Sequence, residues 1–218
     1  MKILFIGNSA TYVHKVPQTL QRLAGQVGYE IEVGQLTPGG YELAQHADAT
    51  TPHGQQVLSE IAKGYDIVFL QENGNCISSH QKRAACTDAC ARLIAAIRQS
   101  GAKPYFYVRP PYGKPLADYT SSQQCQKLDE LFCSLAADNG GIFCVFANRA
   151  YAYAIDSLDL PLWGPDNAHT SPEGAYLIVC TFFATLFGVS STCLDPNGLP
   201  CDTARALQLA ADAVALGQ

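Results

Sequence analysis

An α/β domain on a parallel sheet is the fold class this sequence predicts, on three observations. Apolar runs of strand length recur five times, at residues 2–6, 29–37, 65–71, 103–110 and 140–147. Segments with apolar residues at helical spacing separate them. The runs are nearly continuous in apolar character, as strands covered on both faces must be.

The elements follow in order. Residues 2–6 (KILFI) form a buried strand that stops at Gly7-Asn8-Ser9. In 16–28, Val16, Leu20, Leu23 and Val27 recur at helical spacing, with Pro17 in the first turn and Gly28 near the stop. Residues 29–37 alternate as a strand and run into a glycine loop, PGGYELAQH. A short helix is expected over 54–63, and a strongly apolar third strand over 65–71. A long helix over 80–100 closes at Gly101. The fourth strand, 103–110, is stopped by Pro110-Pro111. Helix 118–138, strand 140–147 and a short helix 148–157 come next. A polar loop (158–172) leads to helices over 173–187 and 202–216. With no repeat, linker or low-complexity tract, residues 1–218 read as a single domain. The expected architecture is a three-layer α/β/α sandwich, a flavodoxin-like doubly wound parallel sheet of about five strands. In such sheets ligands bind outside the carboxyl ends of the strands. That rule places Ser9, Gly39-Gly40, Glu72-Asn73 and Arg109 on one rim.

The totals narrow the function classes. Hydrophobic residues make up 48% and charged residues 15%, a globular composition. A net charge of -5 without a Lys/Arg cluster argues against nucleic acid as a partner. The longest apolar stretch, 175–189, is too short to span a bilayer and reads as a buried helix, so no membrane insertion is expected. Nine cysteines at irregular spacing, with no C-x-x-C, read as reduced, mostly buried thiols. Together with the lack of a recognisable secretion signal they point to a cytoplasmic protein. No metal is expected, because no H-x-x-x-H or paired Cys/His spacing occurs.

The chemistry-bearing residues converge on nucleophilic catalysis. Ser9 is a hydroxyl displayed at a strand end, and it needs a base to take its proton. His169 lies in WGPDNAHTSPEG, three residues after Asp166. One short loop thus carries an imidazole and a carboxylate to orient it. Ser171 and Pro172 then start a helix that anchors the loop. An oxyanion needs donors where its charge develops. The backbone N–H groups of Ser9 and Gly40 and the side-chain amide of Asn73 are the candidates.

At these residues the chain resembles the SGNH hydrolases, or GDSL-type esterases, which carry Ser, Gly, Asn and His in four blocks in that order. Gly7-Asn8-Ser9 resembles the first block, Gly39-Gly40 the second, Glu72-Asn73-Gly74 the third and Asp166-x-x-His169 the fourth. The resemblance runs from residue 3 to about residue 188. It implies the same three-layer fold and a Ser9 nucleophile. His169 is then base and acid, Asp166 its orienter, and Ser9, Gly40 and Asn73 form the oxyanion hole. Two blocks depart from the family pattern. Asn8 stands where the first block usually has Asp; its neutral side chain can still hydrogen-bond across the site, so altered tuning and not loss is expected. The third block, usually G-x-N-D, reads Gln71-Glu72-Asn73-Gly74, which leaves Gln71 and Asn75 as alternatives to Asn73. The expected activity is hydrolysis of a small acyl ester through an acyl-serine, an O-acetylated carbohydrate being the first guess by family analogy. No cofactor is implied, and the only partner implied is the small-molecule ester.

Further candidates for substrate contact are Asn8, Tyr12 just after the nucleophile, His46 after the glycine loop, Gln71, Arg109 and Trp163. Arg109 suits either a substrate carboxylate or phosphate or an internal ion pair. Trp163 suits either a sugar ring or the core. His14, His53 and His80 are expected on the surface. The alternatives on the same site are acyltransferase, thioesterase and lysophospholipase; a non-catalytic flavodoxin-like ligand-binding module is the alternative outside enzymes. The lack of G-x-x-x-x-G-K-[ST] and G-x-G-x-x-G speaks against nucleotide binders. The lack of G-x-S-x-G speaks against the ordinary α/β-hydrolases.

Overall fold

Five parallel strands form one sheet in the order β2-β1-β3-β4-β5. The strands are β1 (Lys2–Ile6), β2 (Glu32–Leu36), β3 (Ile67–Leu70), β4 (Lys103–Val108) and β5 (Phe143–Phe146). These come from a computed structural model that describes residues 1–217. Nine α-helices occur among the described residues: α1 (Ser9–Tyr12), α2 (Val16–Gln26), α3 (Leu43–His46), α4 (Pro52–Ile61), α5 (His80–Gln99), α6 (Ser121–Asp138), α7 (Ala147–Ser157), α8 (Pro172–Phe187) and α9 (Cys201–Ala215). The order is that of a flavodoxin-like sheet, so the chain reverses its winding direction between β1 and β3.

Strand pleating divides the core in two. Ile3 and Phe5 of β1 and Ile67 and Phe69 of β3 point into one cluster, which is closed by α2, α7, α8 and α9. Leu4, Ile6, Val68 and Leu70 point the other way, into a cluster closed by α3, α4, α5 and α6. The alternation is the period of 2 that a strand imposes, and both faces are apolar because both are covered. Phe182 of α8 packs edge-on to Phe5, Phe69 and Tyr107. Burying such a ring stabilises the fold by roughly 2–3 kcal/mol.

All five expected strands and all seven expected longer helices are present, with ends that local chemistry moves. Strand β5 starts at Phe143 and not at 140, because Gly140 and Gly141 take φ of +80 to close α6. Helix α6 starts at Ser121, where Thr120 and Gln123 make a reciprocal capping box. Two four-residue helices, α1 and α3, lie where only a corner and a loop are expected, too short to show a period in sequence. Between α1 and α2, His14 and Lys15 both take left-handed conformations. All nine cysteines are free, five of them buried and Cys133, Cys193 and Cys201 exposed. No helix of the described residues is long and apolar enough to cross a membrane.

Candidate active site

The corner after β1 is built from below by Gln71. A Cβ on Gly7 would lie 2.5 Å from Gln71 Oε1, so only glycine fits over that side chain. The same oxygen accepts from Asn8 N–H at 2.9 Å and from the Thr11 hydroxyl at 2.9 Å. Asn8 caps α1 by accepting from Ala10 N–H, and its Nδ2 donates to the Tyr41 carbonyl at 2.7 Å. A carboxylate at that position has no proton for the second bond, which ties the corner to the glycine loop. Ser9 is thereby held half-buried on the first turn of α1.

The opposite wall is the loop ahead of α8. Asp166 Oδ1 accepts from Ala168 and His169 N–H, both at 3.0 Å. Its Oδ2 accepts from His169 Nδ1 at 2.6 Å. The two backbone donors, followed by the ring, hold this carboxyl well below the usual carboxylate range. The loop is fastened at its base by the Trp163–Thr170 bridge and by Ser171 N–H donating to Leu162 O at 3.0 Å. Ser171 caps α8 through Gly174 N–H, and Pro172 takes its first turn. The free ring nitrogen, His169 Nε2, lies 2.9 Å from Ser9 Oγ. Residues 160 apart in the chain thus form one hydrogen-bonded row, Asp166–His169–Ser9.

Beside Ser9 is a cavity of about 180 Å³ lined by Ser9, Gly40, Asn73, Arg109, Tyr112 and His169 among others. Among the described residues no acceptor in the chain takes the N–H of Ser9 or of Gly40. Gly40 has φ +75, which only glycine adopts freely. Asn73 Nδ2 donates one hydrogen to Gly40 O at 3.2 Å, leaving its second unspent. Asn73 Oδ1 accepts from Asn75 N–H and from the Tyr112 hydroxyl at 3.1 Å, which orients the amide. Glu72 supports this corner from behind, accepting from Leu43 and Asn73 N–H. Burial raises its carboxyl to about 7, against the pull of those two donors.

Ser9, His169 and Asp166 are brought together, and Gly40, Asn73, Asn8 and Arg109 join them around the cavity. Four other candidates are placed elsewhere. Gln71 is 1% exposed, and its carboxamide is spent on Asn8, Thr11 and the Glu72 carbonyl, so it supports the corner that carries Ser9 and lies outside the cavity. His46 lies fully buried behind the site. Its Nε2 donates to Gly7 O at 2.8 Å, and its Nδ1 accepts from His53 Nε2 at 3.0 Å. Burial first, and His53 last, lowers it to about 4 despite the Gly7 bond. Tyr12 is 42% exposed with its hydroxyl against Gly39, outside the cavity. Trp163 donates Nε1 to Pro111 O at 3.0 Å and packs edge-on to Tyr151. It lines a separate open depression that reaches Asp166 and His169 from the other side. His53 is half-buried against His46 instead of on the surface. Tyr112 escapes a reading by sequence alone; its one signal is the place directly after the prolines that stop β4. The described residues hold no group of three or more metal-ligating side chains.

Compared with known proteins, the whole architecture recurs. No protein-family profile and no curated protein matches the chain. Among solved structures, the "putative SGNH hydrolase" of Slackia heliotrinireducens matches at 28% identity and a TM-score of 0.69, over 85% of this chain and 98% of that one. In sequence and in fold the chain is similar to an SGNH hydrolase. A DUF4886 family protein from Bacteroides uniformis shares the fold at a TM-score of 0.79, with 17% identity over 98% of this chain and 94% of its own. A catalytic mutant of Axe2, an acetylxylan esterase from Geobacillus stearothermophilus, shares it at 0.60, with 16% identity over 87% and 95%. In SGNH terms, the block departing most from the usual pattern here is the third, and Asn73 is the member of it that faces the cavity.

Proposed function

We propose that this protein is a serine ester hydrolase acting on small acyl esters. The observation that carries the reading is the row of two hydrogen bonds, 2.6 Å and 2.9 Å, joining Asp166, His169 and Ser9 beside a cavity with unspent donors. His169 Nδ1–H donates to Asp166, which leaves Nε2 as the acceptor for the Ser9 proton. Ser9 Oγ attacks the ester carbonyl as that proton moves to Nε2. The carbonyl oxygen gains the negative charge and rests on the Ser9 and Gly40 N–H groups and Asn73 Nδ2. The intermediate then collapses, and Nε2–H protonates the departing alcohol oxygen. Water repeats the sequence on the acyl-serine, releasing the acid and returning the proton to Ser9.

A cavity of about 180 Å³ is below the usual 300–1,000 Å³ of small-molecule pockets and favours a short acyl group over a lysolipid or long-chain thioester. The acetylxylan esterase among the structural relatives supports an acetylated carbohydrate as first substrate to test. Ser9→Ala is expected to lower kcat for p-nitrophenyl acetate by about 10⁴-fold or more with an unchanged circular-dichroism spectrum. Equal turnover by variant and parent rejects the reading.

A further inference from the structure

Arg109 is the one cavity-lining residue whose place the hydrolytic cycle leaves unexplained. It follows β4 and is only 6% exposed. A buried guanidinium normally has a carboxylate partner, because an uncompensated buried charge is costly. Among the described residues none of the ion pairs within 4.0 Å includes Arg109. Its Nε is fully buried and without a hydrogen-bond partner. Nη2 reaches only the Ala168 carbonyl at 3.4 Å. The guanidinium carbon lies over the Tyr112 ring, 4.0 Å from its centroid. Nη1 sits against Gly74, where a Cβ would come within 2.9 Å of it. The glycine therefore makes room for the cation, and the aromatic face packs against it. What remains is a cation without a carboxylate partner at the wall of the same cavity that holds Ser9 and His169.

We infer that Arg109 is an anion subsite, and that the preferred ester carries a negative charge, a carboxylate or a phosphate, within a few bonds of the scissile carbonyl. This rests on the hydrolytic reading and sharpens it from small acyl esters to small anionic ones. The substrate's oxyanion supplies the counter-charge the fold withholds. The cavity volume limits the charged group to a few atoms beyond the carbonyl. Arg109 in this role sets specificity and takes no part in proton transfer.

The test compares kcat/KM within matched pairs. Mono-p-nitrophenyl succinate against p-nitrophenyl butyrate places the charge on the acyl side. Acetoxyacetate against its methyl ester, read by acetate release, places it on the alcohol side. In at least one pair the parent protein is expected to favour the anion by about tenfold or more, as a charge-assisted contact allows. Arg109→Met should reduce that preference to less than about twofold, mainly by raising KM for the anionic member of the pair relative to its neutral match. Arg109→Lys should keep part of it. Inorganic phosphate should compete with the anionic ester in the parent and not in Arg109→Met. Two results overturn the inference: no preference in either pair in the parent, or an equal fall in kcat for all four esters in Arg109→Met. The second would mean that Arg109 merely holds the Ala168 carbonyl and the His169 loop. If Arg109→Met does not fold, the parent's own preference and the lysine variant decide. Turnover that survives Ser9→Ala sinks the hydrolytic reading instead, whatever the charge preference.

Discussion

At the scale of single residues, the site depends on side chains that never meet substrate. Gln71, His46 and Glu72 hold the backbone on either side of the cavity, and two of them titrate in opposite senses. His46 moves from its ordinary 6.5 down to about 4 in the fold. The unfolded chain therefore takes up that proton first, and His46 costs stability as pH falls from 6.5 to 4. Glu72 moves from 4.5 up to about 7. The folded chain keeps that proton longer, so its contribution is complete below 4.5 and is lost as pH rises to 7. Each shift is worth about 3 kcal/mol. Between pH 4.5 and 6.5 they offset each other. Glu72→Gln removes one side of the balance, and the urea midpoint of that variant should fall more steeply than the parent's as pH drops through this window. Parallel profiles would contradict it. Asn73→Ala acts on the chemistry instead. It removes a proposed oxyanion donor and should lower kcat on p-nitrophenyl acetate by about 10²- to 10³-fold with KM little changed. A loss under threefold would return the oxyanion role to another group.

At the scale of elements, the loop that carries His169 is only as well placed as the start of α8. Gly174, in the first turn, packs so closely that a Cβ would lie 2.0 Å from the Tyr151 hydroxyl and 2.2 Å from the Leu162 carbonyl. Gly174→Ala should cost about 2–3 kcal/mol in urea unfolding and reduce activity more than that loss accounts for, because Leu162 anchors the loop. Ser171→Ala removes the cap alone and should cost about 1 kcal/mol. A Gly174→Ala protein of parental stability and activity would show that the helix start does not set the loop. This element was legible in the sequence: Ser171-Pro172 announces a helix start and Asp166-x-x-His169 an oriented imidazole. The central strands β1 and β3 were legible because burial on both faces leaves a run of apolar residues, whereas the edge strand β2, with no fully buried residue, shows only alternation. The short helices α1 and α3 were not, because four residues show no period. The roles of Gln71 and His46 were not legible either. Each acts on a backbone group of the Gly7-Asn8 corner, 63 and 39 residues away, and no local pattern encodes such a meeting.

At the scale of the whole molecule, the winding reversal between β1 and β3 places the site. It opens a crevice at the carboxyl ends of those two strands, and the candidate nucleophile follows one while the candidate oxyanion amide follows the other. The helices on both faces hold these ends fixed through two separate cores. Phe182→Ala, in the centre of one core, should cost about 3–5 kcal/mol and leave the kinetics of the folded fraction unchanged. Altered kinetics at full folding would couple core and site in a way this architecture does not predict. The central claim is that the fold makes Ser9 a nucleophile through His169. Reaction with a fluorophosphonate, followed by mass mapping of the labelled peptide, tests it most directly. One label per chain on Ser9, lost in His169→Ala, is the predicted result. Labelling at a different residue, or undiminished labelling of Ser9 in His169→Ala, would contradict it.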